Sequence, residues 1–503
     1  MVAASLWLHG MSRSIERNRL LKFSQWVVFQ QLVAVPNLVR WQWLAILLVL
    51  SSGCSSHWMR LSQPRRQFYD GQISEARQSL EKMASSWRRD RDVAALDLAM
   101  VELFSGNPKG AERKLRMVRD RFDELEGPQL AASTIALWTD DQVRAYAGED
   151  YEKIFLRCFL TLANLLDDGE DVEAYSLQTD QKQKELALAA AKKLGDQEQE
   201  RYRDIPCAAY LRGIFKESTH RDYEEAAACY RKVAEQIGDA PPLMADLQRA
   251  TSGVHSRRGN GVFYLFALVG HGPYKVEQKE HATSDALLVA DRVLSAIGPH
   301  TLPPTLAPIK ITAIASPAQS VDRIGVAVNR NYQGETWTIT DFQQIASELY
   351  EVKRKELMAR AVVRRVLKKA TVYTAKEAMG GTDGVTSLVM DGAGVLWEAA
   401  EQADTRCWGL LPSQLQVLRI ELPEGVHSIR LLPMLHGQIH GTPVDHSIAI
   451  GDGLNTYGIV YFPDGNAIGG FHATLPGGGG DSPPVLIDPP RELGTAHRSP
   501  SSP

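Results

Sequence analysis

The chain has 503 residues, 44% of them apolar, and 56 basic against 60 acidic side chains give a formal charge of -4. With neither half strongly basic, this balance excludes an electrostatic nucleic-acid binder, while the length suggests two to three domains with substantial cores. The five cysteines include no CxxC pair, which excludes the common zinc and thioredoxin spacings.

Residues 41–54 read WQWLAILLVLSSGC, with Arg40 just before them and Arg13, Arg17, Arg19 and Lys22 upstream. A positive flank, an apolar core and small residues in that order are an export signal. Ser51, Ser52 and Gly53 before Cys54 resemble the bacterial lipoprotein box, although the usual leucine stands one place further out, at Leu50. The apolar run 43–50 is far shorter than the roughly 18–20 residues of a spanning helix. The expectation is a signal peptide over 1–54, with Met11 as an alternative start, and a mature chain acylated on Cys54. Cleavage without lipid and a retained anchor are the alternatives. Several acyl chains would hold the protein stably on a bilayer. By resemblance to proteobacterial sorting, the non-acidic Ser55 points to the outer membrane.

From 66 to 236 the chain is rich in Ala, Leu, Glu, Lys and Arg, all good helix formers. Ala76, Leu80 and Met83 recur as Ala111, Leu115 and Val118, displaced by 35 residues, a period near that of tetratricopeptide repeats. A third unit spans 207–235, with Tyr210, Leu211 and Gly213 on one helix and Tyr223, Ala226, Tyr230 and Val233 on the next. A small residue followed four places later by an aromatic on the same face lets helices approach and fills the gap. Between these units, Ile154, Leu156, Phe159, Leu160, Leu162 and Leu165 predict a helix with a broad apolar face. The reading is a TPR-like array over 60–240, whose stacked pairs offer a groove for a protein or act as a spacer. Cys207 and Cys229 flank the turn near Thr219 at similar distances, which makes them a candidate disulfide in an exported protein. Their alternative is to pack as small apolar side chains.

Composition changes after residue 239. GVFYLFALVG reads as a buried strand, and IKITAI and RIGVAV as alternating strands. A long helix is expected from Asp341 to about Ala378, with Asp341 as N-cap. Its many Lys and Arg residues read as a solvated face rather than as a site for acidic groups. QVLRIEL and SIRLL around Pro423-Glu-Gly resemble a hairpin of small surface-associated β-sandwich modules. A second hairpin is expected around Pro463-Asp-Gly-Asn. The C-terminal domain is therefore placed at 255–472. The tail 473–503, mostly Gly, Pro, Ser and Asp, cannot offset its ordering entropy and is expected to be disordered. The fold class is α+β: a TPR-like helical array, then a mixed domain with β-hairpins and a long helix.

No nucleophile elbow, HExxH or Walker loop occurs. His427, His436, His440 and His446 cluster in sequence, and His436 and His440 would share a face on one strand. The reading is scattered surface histidines, with no metal and no other cofactor. Asp404, Arg406 and Trp408 alternate along DTRCW so as to point one way. They read either as a structural pin, since arginine pairs with carboxylates while stacking on aromatics, or as part of a ligand pocket.

With those residues in view, the chain resembles an uncharacterised family of bacterial lipoproteins with degenerate tetratricopeptide-like helices. The likeness covers about 66–471 and rests on VRAYAGEDYEKIFLRCFLTLANLL, GVFYLFALVG, the long helix at Asp341, and the DTRCW, LLP and RIELPEG blocks. The long N-terminal extension and the Gly/Pro-rich tail depart from that pattern. The family carries no established activity. Members lie near penicillin-binding-protein activator lipoproteins in some genomes, so the resemblance implies partners in cell-wall assembly. The combined expectation is a lipid-anchored envelope scaffold, non-enzymatic, binding the membrane through its lipid and an envelope protein through its repeats. The alternative is an envelope hydrolase or glycan-binding protein with its site in the C-terminal domain.

Overall fold

A computed structural model describes residues 57–126, 145–194, 202, 204–297, 308–378 and 403–474. The chain divides into two units, 1–60 and 61–503, and the helices and sheets from Leu61 onward form the second. Cys54 and the tail beyond 474 lie outside the described residues.

Among the described residues nine helices come first: α1 (His57–Tyr69), α2 (Ile73–Ala84), α3 (Arg91–Phe104), α4 (Pro108–Leu125), α5 (Asp150–Leu165), α6 (Val172–Leu194), α7 (Pro206–Ser218), α8 (Tyr223–Ile237) and α9 (Pro241–Thr251). From α2 on, each packs against its successor. Of the residues that repeat 35 positions apart, Ala76, Leu80, Ala111, Leu115 and Val118 are buried where α2 and α4 meet their neighbours, and Met83 is half-buried against the same core. Gly213 on α7 permits the tightest pairing. A Cβ there would stand 2.7 Å from the Tyr230 ring of α8, so only glycine accommodates that ring. Both α3 and α5 are buried nearly all round. A helix that buries every face has neighbours on every side, and these two are pressed between the rest of the array and a sheet.

That sheet is built from β1 (Asn260–His271), β6 (Trp337–Asp341), β7 (Pro412–Pro423), β11 (Asn455–Phe462) and β12 (Ile468–Thr474), in the order β12-β11-β1-β7-β6. The central strand β1 runs parallel to β11 and antiparallel to β7. A second sheet is made of β4 (Arg323–Val328), β5 (Asn331–Glu335), β8 (Gly425–Leu435) and β10 (Val444–Ile450), in the order β10-β8-β4-β5, with the short β9 (Gln438–Ile439) also paired to β8. The odd positions of β1, Phe263, Leu265, Ala267 and Val269, face this second sheet. Its even positions, Val262, Tyr264, Phe266 and Leu268, join the helical core. The result is three layers, helices on sheet on sheet. It explains why β1 reads as a continuous apolar run with no alternation.

A short antiparallel pair, β2 (Tyr274–Glu280) and β3 (Ile309–Ala315), lies beside α10 (Ser284–Ile297) and α11 (Phe342–Ala378). The first turns of α11 pack on the array through Phe342, which meets Phe155 at 4.7 Å and Phe159 at 5.5 Å. Further along, α11 forms a separate small core with α10 and β3. Asp341 caps α11, its carboxylate accepting from the Gln344 amide at 2.8 Å.

One expectation is overturned. The strands around Pro423-Glu-Gly do not pair with each other: β7 lies in the first sheet, and β8 lies in the second, between β10 and β4. The segment is a corner at which the chain leaves one sheet for the other. Ile420 and Leu422 before it and Ile429 and Leu431 after it all face the same inter-sheet core. A corner lets both strands bury those residues, as chains that switch sheets do. The turn at Pro463 does join paired strands, β11 and β12.

Candidate functional site

The predicted cluster lies on the extended segment 403–411, threaded between the array and the first sheet. Asp404 and Arg406 are paired through two bonds, Nε to Oδ1 at 2.8 Å and Nη2 to Oδ2 at 2.7 Å. Trp408 is in the same segment but does not complete the group. The ring under the Arg406 guanidinium is Tyr146, at 5.2 Å, whereas Trp408 packs on Phe159 at 5.4 Å and is wholly buried. Its indole Nε1 finds no hydrogen-bond partner among the described residues.

Two acids that the sequence reading did not single out hold this segment. Asp97 of α3 and Glu152 of α5 are both fully buried. Asp97 accepts from the amides of Gly409 (3.0 Å) and Leu410 (3.1 Å) and from Arg65 Nε (2.7 Å). Arg65 of α1 in turn donates to the Cys407 carbonyl at 2.7 Å. Glu152 accepts from the Trp408 amide at 2.8 Å, from the Glu149 amide at 3.1 Å, and from the Tyr146 hydroxyl. Burial pushes the Glu152 carboxyl upward, and Lys275 and its hydrogen bonds only partly oppose this. A buried carboxylate must be paired and hydrogen-bonded to stand there at all, and here the partners include backbone amides 256 to 313 residues away in sequence. Gly409 is required by closeness: a Cβ would lie 2.1 Å from the Arg65 guanidinium carbon.

Beside this seam, the start of α5 gathers charge. Lys275 of β2 donates to Glu149 at 2.6 Å, and Lys353 of α11 donates to Asp150 at 2.7 Å. Acids at a helix N-terminus are favoured by its dipole. Burial alone would raise the Glu149 carboxyl, but Lys275 and Lys353 outweigh it and hold the group at about 2. Asp150 is likewise held well below the usual range, burial again being overcome by Lys353 and Lys153. Lys353 thus has a defined partner and is not simply a solvated cation.

A second buried polar group joins α7 and α9 to the sheet. Glu217 accepts from Tyr230 (2.9 Å) and Arg249 (2.5 and 2.9 Å), and Asp246 accepts from Tyr210 at 2.6 Å. Tyr210 also meets Trp337 of β6 edge-on at 5.5 Å.

The histidines do not converge. His436 stands in the turn after β8, with positive φ, so it and His440 are not on one strand as the spacing suggested. His427 bonds the Pro423 carbonyl at 2.8 Å, and His446 stacks on Phe471 at 4.5 Å. Among the described residues no three His, Cys, Asp or Glu side chains group as metal ligands. The candidate Cys207–Cys229 disulfide is absent, both being free buried thiols. Although α7 and α8 do pack as a pair, Cys207 turns to Cys158 of α5, whereas Cys229 sits near the charges of Arg212 and Asp180.

The arrangement can fasten, but among the described residues it offers no accessible nucleophile with a base. Two pockets among the described residues lie between α2 and α4 and between α11 and the β2–β3 pair. Comparison with family models, curated proteins and solved structures finds no match.

Proposed function

We propose that this chain is a lipid-anchored bacterial envelope protein, acylated on Cys54, that acts as a non-enzymatic scaffold. The observation that carries the non-enzymatic part is the burial of Arg406, Cys407 and Trp408 in the DTRCW segment. Asp404 and Arg406 neutralise each other, Trp408 is wholly buried, and the nearby acids are spent on backbone amides. An active site needs charged groups converging on a cleft, and these converge on a seam. The helical array is TPR-like on this reading, from its 35-residue recurrence and antiparallel pairs. Its inner helices already cover the chain's own sheet. A partner in the envelope would therefore use the outer faces of the array or the exposed face of the second sheet. The outer membrane is the proposed address. No helix among the described residues is long and apolar enough to cross a membrane, and Cys54 is the proposed attachment.

The test is to express the chain with its leader in a bacterial host alongside a Cys54→Ser variant, label both with a fatty-acid analogue, and fractionate the membranes. Label and membrane retention that both vanish in the variant support the reading. An unlabelled wild-type chain contradicts it.

A further inference from the structure

Two histidines away from the seam meet where the end of the array touches the sheet. His220 stands in the turn between α7 and α8, and His255 in the loop between α9 and β1. Their rings touch edge to face, with centroids 4.6 Å apart. His220 Nε2 donates to the Gly453 carbonyl, in the turn between β10 and β11, at 2.7 Å. The Tyr223 hydroxyl of α8 lies 3.4 Å from its other ring nitrogen. His255 is buried, and its Nε2 donates to Asn455 Oδ1 at the start of β11, at 2.7 Å. His220 holds a positive φ of 58°. A residue other than glycine keeps that conformation where its surroundings impose it, and the bond to Gly453 is such a constraint.

The charges around the pair make it a poor place for a proton. His255 faces Glu217 of α7, the His220 ring, and Arg419 of β7, whose guanidinium donates to the His255 carbonyl at 2.5 Å. Its other neighbours, Ser256 at 3.1 Å from Nδ1 and Asn455, are neutral. Glu217 is already engaged by Arg249 and Tyr230. Beside His220 in its turn, Arg221 is exposed and Asp222 accepts from the Thr219 hydroxyl at 3.2 Å. Asp452, next to Gly453, accepts from the Gly259 amide at 2.8 Å. Burial holds the His255 ring below the ordinary histidine value, with His220 and Arg419 adding to it and Asn455 and Glu217 opposing it. A proton on His255 is thus set against lost hydration and against neighbours of like charge. Once the turn and loop part from β11, water reaches the ring, and its ordinary value of about 6.5 returns.

We propose that the His220–His255 pair is an acid-operated latch, shut at neutral pH, that lets the α7–α8 turn and the 253–256 loop part from the start of β11 as the medium acidifies. Proton linkage sets the direction. A ring held neutral when shut and free to charge when open favours the shut form above about 6.5 and the open form as pH falls below it. One such proton raises the opening constant by up to about tenfold between pH 7.5 and 5.5. Opening brings water to Glu217, which is fully buried three residues before His220, and so loosens the fastening of α7 and α9 to the sheet. The fastening at 403–411 contains no histidine and does not share the response.

The test is amide hydrogen exchange of the full-length chain, read by mass spectrometry at pH 7.5, 6.5 and 5.5 and corrected for the intrinsic rate at each pH. In the wild type, protection over 216–223 and 252–257 should fall severalfold, up to about tenfold, from pH 7.5 to 5.5, while protection over α5 does not change. His255→Gln keeps an amide toward Asn455 but cannot charge, so its protection should not vary with pH. His220→Asn suits the positive φ but is too short to serve the Gly453 carbonyl. Its 216–223 segment should already be severalfold less protected at pH 7.5, a result that does not depend on His255→Gln folding. A wild-type profile flat in pH, an equal loss over α5, a pH dependence kept in His255→Gln, or a His220→Asn turn as protected as the parent each overturns the latch.

Discussion

At the residue scale, a few positions let parts of the chain far apart in sequence meet. Gly409 is one, because its missing Cβ is where the Arg65 guanidinium lies. Gly409→Ala must displace Arg65 from Asp97. Breaking one partner out of a buried ion pair costs about 3–5 kcal/mol, so the substitution is expected to lower stability by about 3 kcal/mol in a urea titration. In an Arg65→Met background the same change should cost much less. Equal losses in both backgrounds would mean that Arg65 is not what Gly409 makes room for. Titration offers a second test. Burial lowers His446 to about 4, outweighing the opposing pull of Asp445, and burial also lowers His472. Below pH about 6.5 the unfolded chain takes up protons on these rings that the folded chain does not. Stability should therefore fall as pH drops from about 6.5 toward 4. Glu149, held at about 2, contributes stability that is present above about 4.5 and is lost as pH falls further. Replacing His446 by Phe keeps a ring against Phe471 and should flatten the upper part of this curve while leaving the acid limb. An unchanged curve would assign that part to other groups.

At the scale of elements, the sequence was informative wherever one neighbour set the pattern. The long helix with Asp341 as its cap, the strands at 309–315 and 323–328, and the helix through Ile154 and Leu165 were all legible from their periodicity. The Pro423 segment misled because both flanking strands alternate correctly for a hairpin, and alternation records which face is buried, not which strand lies alongside. The pin was half legible. The Asp404–Arg406 pair is local, but its ring came from Tyr146, and its seam partners Asp97, Glu152 and Arg65 are distant in sequence. The one available signal was an acid inside an otherwise apolar helix, as in the stretch ALDLAM around Asp97. The central strand β1 is the element most dependent on the three-layer arrangement. Leu265 faces the second sheet and Phe266 faces the helices. Truncating buried leucine or phenylalanine to alanine costs about 2–5 kcal/mol. Leu265→Ala and Phe266→Ala should each do so in chemical denaturation. A near-neutral result for either would mean that one face of β1 is uncovered.

At the scale of the whole molecule, the array and the sandwich do not behave as beads joined by a linker. Sequence suggested separate domains at 60–240 and 255–472, yet the residues of α1, α3, α5 and α7 share one core with β1, β7 and β11. Two buried polar groups, one around Asp97 and Glu152 and the other around Glu217 and Asp246, fasten the layers together. Such groups add little net stability when intact and much instability when broken, which makes them specifiers of one docking geometry. With the inner helical surface occupied by the chain's own sheet, the surface left for a partner is the outer one.

The central claim is that the segment 403–411 pins helices and sheets into a single cooperative unit and is not a catalytic cleft. The most direct measurement is equilibrium unfolding of the wild-type chain and an Asp97→Ala variant, followed at once by far-UV circular dichroism and by tryptophan emission. One coincident transition is expected in the wild type. In the variant it should weaken by about 3–5 kcal/mol, the loss expected when one partner of a buried pair is removed. Two separate wild-type transitions, or a variant as stable as the parent, would contradict the account.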